Sequence, residues 1–256
     1  MRIGLAQFDI AWEDKAANFR KAAALLEQMK GEADLVVFPE MFSTGFSTDN
    51  RLLAETMEGG TMRQLKQWAA QFNTALAGSF ICREGEAIFN RAFFVTPEGG
   101  TCHYDKRHLF RMGNEPENFT PGSRRCILHY KGWNICLAVC YDLRFPVWLR
   151  NTGNAYDLLV VAANWPSARN NAWDILLQAR ALENQCYACG VNRVGTDAYG
   201  IPYSGHSTLI DARGRQLAAF QENEEGFRIA EIRRKSLEHF REKFPAWKDA
   251  DPFTLP

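Results

Sequence analysis

Two apolar stretches occur twice in this chain, in the same order. Ile3-Gly-Leu-Ala-Gln-Phe-Asp9 resembles Ile135-Cys-Leu-Ala-Val-Cys-Tyr-Asp142. Asp34-Leu-Val-Val-Phe-Pro39 resembles Asp157-Leu-Leu-Val-Val-Ala-Ala-Asn-Trp-Pro166. Short apolar runs bounded by Gly, Pro and charge read as strands buried on both faces. Helical spacing covers 14–29, with Phe19, Ala22, Ala23, Leu26 and Met29 on one face. It returns over 61–72, where Thr61 and Gln64 fit a capping box. In the second half a helical stretch is expected between the two strands, with Pro146 in its first turn, and another helix over 172–184. Strands at 75–81 and 87–96 are echoed by 188–194 and by the strand-turn-strand of 207–217. Pro97-Glu-Gly-Gly100 turns a hairpin into Cys102-His-Tyr104. Two matched β-α-β-α-β-β halves imply a duplication. The expected fold is α/β: two sheets packed together, each with helices outside, as a four-layer α-β-β-α sandwich. The body spans 1–235. Residues 236–256 hold a last helix, opening at Lys235, and an aromatic, acidic tail that packs on the body or on a neighbouring subunit.

Composition excludes several functions. The 30 basic and 30 acidic residues balance, and no basic run appears, so nucleic acid is not the expected partner. No apolar segment reaches membrane-spanning length, and the first residues lack a signal-peptide core. Seven cysteines, an odd number spread through predicted strands, do not form a disulfide framework. A reduced, cytoplasmic setting is expected. Cys186-Tyr-Ala-Cys189 has the spacing of a redox or zinc pair, yet no second pair or histidine cluster completes a site. Two small buried residues account for it better, and no metal or cofactor is expected.

Three polar residues stand at comparable places. Glu40 ends one buried strand, Cys140 ends another, and Lys106 follows a hairpin strand. Strand ends in such a sandwich can converge on one pocket. A thiol needs a base, because little of it is thiolate at neutral pH. Glu40 would be that base, and Lys106 with the Tyr141 N–H would stabilise an oxyanion. Taken singly, the cysteine fits a buried structural role equally well, and a lone Glu or Lys is more often a surface charge or an ion pair. The segment 105–122 is long, polar and aperiodic, which favours a functional loop.

Val36-Val-Phe-Pro-Glu40-Met-Phe, Tyr104-Asp-Lys106-Arg-His-Leu-Phe and Val139-Cys140-Tyr-Asp-Leu-Arg-Phe-Pro together resemble the nitrilase superfamily of carbon–nitrogen hydrolases. The resemblance covers roughly residues 1 to 235. It implies the sandwich, a Glu-Lys-Cys triad of Glu40, Lys106 and Cys140, and a second glutamate after the lysine. Glu115 matches that place best, with Glu117 as rival. Lys106-Arg-His-Leu-Phe-Arg-Met112, Asn164-Trp-Pro166 and Lys243-Phe-Pro-Ala-Trp-Lys-Asp-Ala-Asp251 are most similar to the omega-amidases. The implied substrate is a small dicarboxylate monoamide such as 2-oxoglutaramate or 2-oxosuccinamate. An arginine would hold its distal carboxylate: Arg144, Arg111 or Arg169. Arg144 fits an ion pair with Asp142 equally well. Asn164 and Trp165 would line the pocket, and His108 would support the loop of Lys106. A deaminated-glutathione amidase, a carbamoyl-amide hydrolase, a nitrilase or a catalytically silent binding protein share the same features. Superfamily members commonly associate, so a homodimer or higher homo-oligomer is expected.

Overall fold

The computed structural model describes residues 1–49 and 51–254. The first half runs β1 (Arg2–Gln7), α1 (Lys15–Gln28), β2 (Leu35–Val37), α2 (Gly60–Phe72), β3 (Ala75–Glu84), β4 (Ala87–Val95) and β5 (Thr101–Asp105). A short α3 (Glu115–Asn118) comes next. The second half runs β6 (Cys126–Tyr130), β7 (Trp133–Val139), β8 (Leu158–Ala163), α4 (Asn170–Glu183), β9 (Tyr187–Asn192), the hairpin β10 (Val194–Thr196) and β11 (Pro202–Ser204), then β12 (Thr208–Ile210) and β13 (Gln216–Ala219). β14 (Gly226–Glu231) and α5 (Arg234–Lys243) close the chain.

The duplication is written in the pairing. One sheet has the order β14-β1-β2-β3-β4-β5, the other β6-β7-β8-β9-β12-β13. In each, three parallel strands lie inside, with antiparallel strands flanking them. Strand alternation divides the side chains between two cores. Ile3, Leu5, Leu35 and Val37 join Ile135, Leu137, Val139 and Val160 in the core shared by the sheets. Phe8, Val36 and Phe38 instead meet Leu26 of α1, Met29 just after it, and Met62, Leu65 and Trp68 of α2. Each such side chain, fully buried, contributes about 1.5–3 kcal/mol. On the other side Trp173 and Leu177 of α4 cover β9. A Cβ on Gly190 would lie 2.5 Å from Leu177, so this close approach requires glycine.

Three local expectations are corrected. No α-helix separates β7 from β8; short 3-10 turns at Cys140–Arg144 and Thr152–Asn154 do. The first of these begins at Cys140 itself, so Pro146 opens no helix. The capping box at Thr61 does not form. Gly59 is the cap residue of α2, and the Thr61 N–H donates to Glu55 Oε2 at 2.7 Å while its hydroxyl donates to Glu55 Oε1. A carboxylate from the preceding segment thus takes the orphan donor that a cap would have taken.

Candidate active site

The apolar run of β7 ends where its pairing with β8 ends, at Val139. The next residue, Cys140, has φ +43°, a left-handed conformation that costs a non-glycine residue energy. The strain turns the chain sharply and sets the thiol at the strand's carboxyl lip. Asp142 holds the turn. Its carboxylate accepts from the Val139 N–H at 3.1 Å, the Tyr104 hydroxyl at 2.8 Å, the His108 N–H at 3.0 Å and His108 Nδ1 at 2.8 Å. Asp142 therefore joins the cysteine turn to the loop that follows Lys106. The alternative for Arg144, an ion pair with Asp142, does not form, because Asp142 is already saturated by these four donors. His108 supports the lysine loop, as expected, and stacks on Phe145 at 3.7 Å.

Behind the thiol lies a buried charged cluster. Lys106 Nζ donates to Glu40 Oε1 at 2.9 Å and to Glu115 at 2.8 and 3.0 Å. All three side chains are fully buried. Asn90 Nδ2 donates to both carboxylates, at 2.7 and 2.9 Å. Glu40 Oε2 accepts from the Asn164 N–H at 2.8 Å, and Asn164 Nδ2 donates to the Glu40 carbonyl at 2.6 Å. Glu40 and Asn164 follow the equivalent strands β2 and β8, so the duplicated lips meet at the site. Glu115 opens α3, and its Oε2 also accepts from the Phe110 N–H at 2.6 Å. Glu117 lies two residues on, about 200° around a helix. It is exposed at the mouth of the cavity and makes no bond to Lys106.

The electrostatics arise from this packing. Burial pushes the Cys140 thiol well above its ordinary pKa; the Glu40 charge adds to this, and Lys106 offsets only part. Burial alone would depress the Lys106 ammonium, but Glu115 and Glu40 outweigh it and raise its pKa. Burial likewise raises Glu115, against the pull of Lys106. At neutral pH the resting thiol is protonated, and it donates to the Asn164 carbonyl at 3.7 Å. Two oxygens of one carboxylate can share a single N–H. Lys106 can thus hold both glutamates and keep one N–H for a guest in the cavity.

That cavity has a volume of about 540 Å³. Lys106, Cys140, Tyr141, Asn164 and Trp165 line it, as do Arg144 and Arg169. Arg144 lies over the Trp165 ring at 4.9 Å and Arg169 over Phe110 at 5.4 Å. Among the described residues neither arginine has a carboxylate partner. Arg111 is exposed and outside the lining. The Tyr141 N–H lies in the first turn of the 3-10 segment that begins at Cys140, where no carbonyl one turn back can accept it. The β10–β11 hairpin adds Tyr203, whose hydroxyl donates to Asp197 at 2.9 Å. Cys186 directly precedes β9 and Cys189 lies within it, and both are fully buried. Asn90, Ser79 and the β10–β11 hairpin escaped sequence reasoning. The one signal was a polar residue, Asn90, inside the apolar run of β4.

Comparison with known proteins agrees with this architecture. The profile described as carbon–nitrogen hydrolase matches residues 2–242. Omega-amidase YafV of Escherichia coli (strain K12) is 42% identical over 256 residues, covering 100% of this chain and 98% of that protein. The 2-oxoglutaramate amidase of Bacillus subtilis (strain 168) is 33% identical, covering 96% of each. Among solved structures, a CN-hydrolase superfamily protein of Xanthomonas campestris with an arsenic adduct in its active site superposes with a TM-score of 0.97. It is 41% identical and covers 100% of this chain and 99% of its own.

Proposed function

The chain belongs to the carbon–nitrogen hydrolase family, and on that premise we propose that it is an omega-amidase. It hydrolyses the terminal amide of small dicarboxylate monoamides, of the 2-oxoglutaramate kind, to the acid and ammonia. The observation that carries this reading is the convergence of a thiol, a carboxylate and an ammonium at the end of a cavity walled by two arginines that have no carboxylate partner among the described residues.

Cys140 attacks the amide carbon as its proton passes to Glu40. The oxyanion is held by Lys106 and by the Tyr141 N–H. Glu40 returns the proton to the amide nitrogen, the C–N bond breaks, and ammonia leaves a thioester on Cys140. A water then attacks, giving its proton to Glu40. The C–S bond breaks, and the proton returns to sulfur. Glu115 fixes Lys106. Arg144 and Arg169 receive the distal carboxylate, which suits a planar fork.

The expected result is ammonia release from 2-oxoglutaramate at least a hundredfold more efficient, as kcat/KM, than from butyramide, which lacks the distal carboxylate. Arg144→Ala should raise KM for 2-oxoglutaramate roughly tenfold to a hundredfold, the loss of one charged hydrogen-bonding partner. It should leave butyramide hydrolysis almost unchanged. Equal efficiency on both amides would rule out the carboxylate subsite and with it the omega-amidase assignment.

A further inference from the structure

Asn90 is fully buried in β4, and both ends of its side-chain amide are engaged. Nδ2 donates to Glu40 Oε1 at 2.7 Å and to Glu115 Oε1 at 2.9 Å. Oδ1 accepts from the Ser79 hydroxyl at 2.9 Å. That hydroxyl in turn accepts from the N–H of Met41, the neighbour of Glu40, at 2.9 Å. A hydroxyl has one hydrogen to give. Ser79 gives it to Asn90, and the Met41 N–H is directed at the hydroxyl oxygen. The chain of donors therefore runs one way, and the amide presents its NH2, never its carbonyl, to the carboxylates.

Lone pairs on the carboxylates set where a proton can land. Each carboxylate oxygen offers about two acceptor sites. Glu40 Oε1 takes Lys106 and Asn90, so it is full. Oε2 takes the Asn164 N–H alone and keeps one site open. We propose that Asn90, locked by Ser79, is a positioning residue that reserves Oε2 of Glu40 for the thiol proton and ties Glu40 and Glu115 together around Lys106. This rests on Glu40 being the base of the proposed reaction. Without the Asn90 donor, Oε1 gains an open site where a proton can settle out of line with the leaving nitrogen. The two carboxylates also lose the neutral donor they share. The titratable groups facing Glu40 are Lys106 after β5, Glu115 of α3 and Cys140 after β7.

The test uses the full-length protein, with ammonia release and iodoacetamide alkylation of Cys140 both measured against pH. Asn90→Leu, of similar volume, should lower kcat roughly a hundredfold, the range of a misplaced proton-transfer group. KM should stay within about threefold, and the acid limb of kcat/KM should move up by about one pH unit as the cluster loses a donor to its charged form. Ser79→Ala should shift both in the same direction by less, and Ser79→Thr, which keeps the hydroxyl, should recover most of that loss. If Asn90→Leu does not fold, the two Ser79 variants carry the test. Wild-type kcat and an unmoved acid limb in Ser79→Ala or in folded Asn90→Leu would overturn the proposal. Glu40→Gln separates the two possible failures. If it leaves turnover and the pH profile of alkylation intact, Glu40 is not the base. If it removes the acid limb while the Asn90 and Ser79 variants do not, only the positioning role falls.

Discussion

Cys140→Ala should release no ammonia from 2-oxoglutaramate above the uncatalysed rate, a loss of at least about 10⁴-fold. The reason is chemical rather than structural. Alanine adopts the +43° backbone turn at no greater cost than cysteine, and only one buried sulfur is removed. The Asp142 network that holds the turn involves no atom of the thiol. Thermal unfolding of the variant should therefore match the wild type within a few degrees. Cys140→Ser should be nearly as inactive. Burial and the Glu40 charge already keep the thiol protonated at rest, so turnover depends on losing the proton during attack. A hydroxyl is far harder to deprotonate in the same surroundings. Binding should survive in both variants, since Arg144, Arg169 and the aromatic walls are untouched. The check is ammonia release alongside calorimetric binding of 2-oxoglutaramate. More than about 1% residual turnover in Cys140→Ala would end the covalent mechanism.

Much of the site was legible because its parts sit at strand ends. Glu40 and Cys140 close apolar runs, and a charged residue directly after such a run has few places to go except the rim. The internal echo fixed the architecture for the same reason: buried parallel strands leave continuous apolar signatures that can be matched across halves. What stayed hidden depends on contacts between distant residues. Asn90 bonds to Glu40 across 50 positions, and Asp142 to Tyr104 across 38. The choice between Glu115 and Glu117 turned on which way one short helical turn points. The helix expected after Cys140 failed because the strand hands over directly to a 3-10 turn, which the Asp142 network stabilises without needing Pro146. At Thr61 a carboxylate from outside the helix replaced the local cap, a competition that spacing alone does not reveal.

Lys106→Met should lose both activity and stability, and the stability loss should depend on pH. In the wild type one ammonium serves two buried carboxylates, at 2.9 and 2.8 Å. Methionine fills similar volume but leaves Glu40 and Glu115 facing each other, with Asn90 as their common donor. Removing one partner of a buried ion pair costs about 3–5 kcal/mol. The cluster can avoid part of that cost by taking up a proton, because like charges raise each other's pKa. Burial already raises Glu115 in the wild type, so the proton has a ready site. A carboxyl whose folded pKa lies above its unfolded value of about 4.3 favours the folded state at low pH. That contribution is lost as pH rises through the folded pKa. The destabilisation relative to wild type should therefore be modest near pH 5 and grow towards pH 8, read as a widening gap in Tm. Turnover should fall by about 10³-fold or more at every pH, since an oxyanion donor is gone. Adding Glu115→Gln to Lys106→Met removes the second charge. It should restore much of the Tm at pH 8 and none of the activity. An equal Tm deficit at pH 5 and pH 8, unrelieved in the double variant, would mean that Lys106 acts through packing rather than by neutralising the two glutamates.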